Sequence, residues 1–103
     1  MTIKELDSRF TAAALESAAA ADALGLDSRG LRALCEGHGA AAGLKRSLQR
    51  GQPTPLFDEL AAAGKTALTL EALAVQSRFA ELFTDAEADE CFARLIDAGY
   101  YRM

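Results

Sequence analysis

The chain has 103 residues, half of them hydrophobic, and a net charge of −4. That length fits one domain with a single modest core. The acidic balance argues against a general binder of nucleic acid or anionic membranes, and no apolar run approaches the roughly 18 residues of a membrane span.

Alanine dominates the apolar set. There are 23 alanines beside five phenylalanines, no tryptophan and a single valine, Val75. Alanine is the best helix former and β-branched residues are scarce, so the composition predicts an all-α fold. The expected architecture is one domain over 1–103, a compact bundle of five to six short helices. Small side chains bury little area each, at about 25 cal/mol per Å². A homo-oligomer or a protein partner is therefore an expected source of further stability.

In chain order, Thr2 with Glu5 three residues on has capping-box spacing. The first helix carries Ile3, Leu6, Phe10 and Ala14 on one stripe and runs to Leu24, with Gly25 as its stop. Asp27 or Ser28 caps a second helix containing Leu31, Leu34 and Cys35, which Gly37 and Gly39 end. A third spans about Ala40 to Arg50. Gly51-Gln52-Pro53-Thr54-Pro55 is the clearest break and a possible subdivision, because proline cannot continue a helix. Thr54 is read as the cap of a fourth helix, with Pro55 at its first position and Gly64 at its end. A fifth begins near Thr69. Gln76-Ser77-Arg78 reads as a turn before a short Phe79–Phe83 piece. The sixth has a full capping box at Thr84 and Glu87, an apolar stripe of Ala88, Cys91, Phe92, Leu95 and Ile96, and Gly99 as its stop.

Charge is segregated. Residues 1–28 carry −3, residues 29–53 carry +4 and residues 54–103 carry −5. The basic middle consists of Arg29, Arg32, Lys45, Arg46 and Arg50 against Glu36. A basic middle between acidic ends suits intramolecular pairing or a docking face for an acidic partner. On the last helix, Asp85, Asp89 and Glu90 form the opposite candidate face. Tyr100 and Tyr101 are either an aromatic anchor for a partner or a contact folded over the core.

Nothing in the spacing builds a reactive centre. His38, the one histidine, sits between Gly37 and Gly39 as a turn residue; a general base there would need Glu36 or Ser47 beside it. One histidine with two distant cysteines does not supply a metal set, and Gly64-Lys65-Thr66 lacks the upstream glycine of a phosphate loop. The expectation is no enzyme, no cofactor and no metal. Cys35 and Cys91 are expected as two buried thiols, and the start of the chain lacks a signal peptide's apolar stretch, so the chain reads as soluble and cytoplasmic.

Two resemblances give alternatives. Leu24-Gly25-Leu26-Asp27-Ser28 resembles the attachment motif of acyl and peptidyl carrier proteins, with Ala42-Gly43-Leu44-Lys45 and Pro53-Thr54-Pro55 similar to further landmarks of that family. The resemblance implies that Ser28 holds phosphopantetheine and the helix after it docks partner enzymes; Arg29 stands where the family usually has leucine. The C-terminal half resembles a winged-helix module, in which the last two helices form a helix-turn-helix. That would imply DNA binding through Lys65, Arg78 and Arg102, or through the basic middle. The last helix, however, carries Asp85, Glu87, Asp89, Glu90 and Asp97 against a lone Arg94, a charge that phosphate repels. The favoured function is a non-catalytic protein-binding module, a small regulator, adaptor, chaperone or inhibitor. It would act through Arg29, Arg32, Lys45, Arg46 and Arg50 on one side, and Asp85, Asp89, Glu90, Tyr100 and Tyr101 on the other.

Overall fold

A computed structural model describes residues 2–99, so Tyr100 and Tyr101 lie outside the described residues. Among the described residues there is no strand, and the fold is an all-α bundle. Six α-helices are joined in places by two 3₁₀ turns: α1 (Ile3–Ala23), α2 (Arg29–Cys35), α3 (Ala40–Arg50), α4 (Phe57–Ala62), α5 (Leu70–Ala74) and α6 (Asp85–Asp97), with 3₁₀ turns at Thr66–Leu68 and Ser77–Leu82. No described helix is long and apolar enough to cross a membrane.

The central element is α1, which touches α2, α3, α5 and both 3₁₀ turns. Its buried stripe of Leu6, Phe10, Ala13, Ala14, Ser17, Ala18 and Ala21 follows helical spacing, and its small residues let neighbours approach closely. Thr2 Oγ1 accepts from the Glu5 N–H at 3.1 Å at one end. Gly25, at φ +82°, turns the chain at the other.

The second helix is capped by Asp27, whose Oδ1 accepts from the Arg29 N–H at 3.0 Å; Ser28 makes no side-chain cap. The cap of α3 comes from another helix: Thr11 Oγ1 on α1 accepts from the Ala40 N–H at 3.1 Å. Both partners of the α6 capping box are present, with Glu87 N–H to Thr84 Oγ1 at 3.2 Å and Thr84 N–H to Glu87 Oε1 at 2.8 Å.

Three expectations need correction. The fourth helix starts at Phe57, and Thr54 does not cap it, because the Thr54 hydroxyl is turned inward onto Glu71. The link between α5 and α6 holds the 3₁₀ turn Ser77–Leu82, where a helix-turn-helix has a turn of about 3–4 residues. Finally, α6 is rotated from its expected stripe. It buries Cys91, Arg94 and Leu95, while Phe92 is 38% exposed and Ile96 is 61% exposed.

The main hydrophobic cluster draws on both sides of the Pro53–Pro55 break, from Leu6, Phe10, Leu31 and Leu44 to Leu70, Phe79 and Cys91. Phe10 is its aromatic centre. It meets Phe79 edge-on at 5.1 Å between ring centroids and Phe83 at 5.3 Å, the geometry that ring quadrupoles favour. A smaller cluster of Phe57, Ala72 and Leu95 joins α4, α5 and α6.

Gly43 sets the approach of α2 to α3. A Cβ there would stand 2.9 Å from the Leu34 carbonyl oxygen and overlap the Leu34 side chain. Gly43→Ala must push the two helices apart and should cost about 1–3 kcal/mol despite alanine's better helix propensity. Urea denaturation checks this: a lower midpoint is expected, and an unchanged or higher one refutes the close contact.

Candidate functional site

A polar joint is buried between α3, the 51–56 loop, α5 and α6. Glu71 on α5 is 0% exposed and Arg94 on α6 is 8% exposed. Arg94 Nη1 donates to Glu71 Oε2 at 3.0 Å and to Ser47 Oγ at 3.2 Å, and Nη2 donates to the Ser47 carbonyl at 3.0 Å. The Thr54 hydroxyl donates to Glu71 Oε1 at 2.6 Å, and its N–H donates to Oε2 at 3.2 Å. The buried carboxylate thus receives three donors, which is what a charge in a low-dielectric site requires.

This joint holds the wall of an open cleft above it. Ser47 lies on the cleft's α3 side, and Pro53 and Pro55, on either side of Thr54, close the other side. Gly30, Ala33 and Leu34 of α2 line the rest, giving a volume of about 480 Å³. Pro55 seats directly on α2, 3.3 Å from where a Gly30 Cβ would be. On the rim stand Arg46 and Arg50, both exposed and four residues apart on one face of α3. Among the described residues neither is in an ion pair.

The other basic residues expected to bind a partner are engaged within the chain. Arg29 is paired with Asp27 at 2.7 Å, and that hydrogen-bonded guanidinium holds the Asp27 carboxyl down to about 2. Arg32 donates to Asp22 Oδ2 at 2.7 Å and to Ser28 Oγ at 2.9 Å. Hydrogen bonds from Ser28 and then Arg32 lower the Asp22 carboxyl below its ordinary value. Lys45 lies 3.7 Å from Glu87 and over the Phe83 ring at 5.6 Å, and together with Arg50 it lines a second groove against Glu87 and Glu90 of α6.

Of the acidic candidates, Asp85 and Asp89 are exposed with no ion pair among the described residues, while Glu90 Oε1 lies 3.8 Å from Arg94 Nε. Ser28 is 4% exposed, so its hydroxyl is covered. His38 is exposed in the turn after α2, whereas Ser47, the partner considered for it, is held by Arg94. Both cysteines are buried and free. Burial, reinforced by the Glu71 charge, pushes the Cys91 thiol up to about 12, and burial also raises Cys35. Among the described residues no group of three or more His, Cys, Asp or Glu is placed to hold a metal ion.

No protein-family profile, curated protein or solved structure matches this chain.

Glu71 and Arg94 escaped the sequence reading because each looked like a surface charge on a helix. The available signal was local: Glu71 is flanked by Leu70, Ala72, Leu73 and Ala74, and Arg94 lies between Cys91 and Leu95 on the core-facing side. Removing only the cation strands a buried carboxylate, so Arg94→Met should cost about 3–5 kcal/mol. Glu71→Gln/Arg94→Met should recover a large part of that loss, since the amide leaves no stranded charge. Denaturation of the single and double variants measures it. A single variant as stable as the wild type would show that the joint carries no energetic weight.

Proposed function

We propose that this chain is a non-catalytic protein-binding module that docks an acidic segment of a protein partner in the cleft between α2 and α3. The observation that carries this reading is the pair of exposed guanidinium groups of Arg46 and Arg50, without an ion pair among the described residues, on the rim of a partly apolar groove. The remaining cations of the basic middle are already matched by Asp27, Asp22 and Glu87. Charges left unmatched in this way steer association and fix register more than they add raw affinity. The apolar part of the groove, Ala33, Leu34, Pro53 and Pro55, supplies area to bury. A regulator, adaptor, chaperone or inhibitor is the corresponding class.

The alternatives draw less support. A pantetheine carrier needs an accessible serine, and Ser28 is covered. A DNA reader needs a basic recognition helix, and burial of Arg94 leaves the exposed surface of α6 without a cation. Two free buried thiols favour a reducing, cytoplasmic setting.

Fluorescence anisotropy with labelled acidic peptides that vary the spacing of two carboxylates tests the proposal. At low salt, Arg46→Glu/Arg50→Glu should lose about tenfold or more in affinity, a difference of roughly 1.4 kcal/mol. Arg29→Glu, whose native charge is spent on Asp27, should bind like the wild type. Equal affinity in all three proteins would remove the cleft from the function.

A further inference from the structure

We infer that the acidic segment this cleft accepts is the outward face of α6 from a second copy of the chain, so that the protein self-associates head to tail. The inference rests on the binding role proposed above and names the partner. On α6, Asp85, Asp89, Ala93 and Ile96 recur at helical spacing on the side opposite the buried Cys91, Arg94 and Leu95. All four are exposed. The two carboxylates are four residues apart, as are Arg46 and Arg50, so each pair spans one helical turn.

An antiparallel approach of α6 to the partner's α3 sets Asp85 against Arg50 and Asp89 against Arg46. It also brings the positive N-terminal end of one helix beside the negative C-terminal end of the other, the favourable alignment of helix dipoles. In that register Ala93 comes level with Ala42 and Gly43, beside Leu34, while Ile96, 61% exposed, lies about one turn further on, level with Gly39 and beyond the cleft's lining. Apolar contact thus accompanies the charge pairs, which on a surface contribute little alone.

A chain cannot make this contact with itself. Its own α6 already lies beside α3 through Glu87 and Lys45, and neither Asp85 nor Asp89 lines the cleft. The joined surfaces differ, so the contact is heterologous: it grows into an open chain unless the rotation closes a ring.

Sedimentation velocity with charge-swapped variants tests this. In low salt the wild-type mass should rise with concentration and return to the monomer value as salt is added. Arg46→Glu/Arg50→Glu and Asp85→Arg/Asp89→Arg should each sediment as monomers, and their equimolar mixture should regain association, because each swapped face then meets an opposite charge. Asp89→Arg alone, outside the first turn of α6, should weaken association with the helix intact by circular dichroism. A wild type that stays monomeric in low salt overturns the inference, as does a mixture that stays monomeric. If an acidic peptide still binds through Arg46 and Arg50 in that case, the cleft keeps its binding role and only the identity of the partner fails.

Discussion

The ion pair between Glu71 and Arg94 is the constraint on which the rest of this structure depends. An isolated charge cannot be left in a dry interior, and the effective penalty for burying one is several kcal/mol even after relaxation. Glu71 is carried inside by α5, a five-residue helix with every residue buried, and so it must be met. Arg94 meets it, and in doing so fixes the rotation of α6. Turning Arg94 inward leaves Ile96 in solvent, which forgoes roughly 1.5–3 kcal/mol of burial. Stranding Glu71 would cost about 3–5 kcal/mol. The pair wins, and the outer face of α6 is composed accordingly.

The same joint shapes the loop. With Thr54 bonded to Glu71 through both its hydroxyl and its N–H, and Phe57 buried just beyond, the chain between them has little freedom. Leu56 takes the left-handed conformation at φ 71°, which costs a non-glycine residue about 1–2 kcal/mol. That conformation persists because buried anchors stand on both sides of it. Pro53 and Pro55 are thereby held as a fixed wall opposite α3, and Arg94's grip on Ser47 ties α3 to the same point. A pre-formed wall lowers the ordering cost of any partner that binds against it.

Local signals were legible in the sequence wherever one residue decides the outcome. The Thr84–Glu87 capping box, the Gly25 stop and the limits of α3 follow from side-chain and backbone preferences acting over a few residues. Features set across the fold were not legible. Thr54 looks like a helix cap because threonine caps helices, but Glu71, distant in sequence, claims its hydroxyl. Phe92 and Ile96 look like core because they continue a stripe, but Arg94 competes for the same side of α6 and has the stronger claim. Of the basic middle, spacing alone did not separate Arg46 and Arg50 from Arg29, Arg32 and Lys45. Only the placement of Asp27, Asp22 and Glu87 shows which charges are already matched.

Among the described residues, the buried joint and the basic middle use charge in three ways: a buried pair that sets the fold, exposed pairs that match Arg29, Arg32 and Lys45, and Arg46 and Arg50, which stand without an ion partner. The first use carries the other two. Native-state hydrogen exchange at the Thr54 amide tests it most directly, because that N–H reaches solvent only when the loop leaves Glu71. Protection close to that of the core amides of α1 is expected. Exchange as rapid as at Gly37 and His38, in the exposed turn after α2, would contradict it.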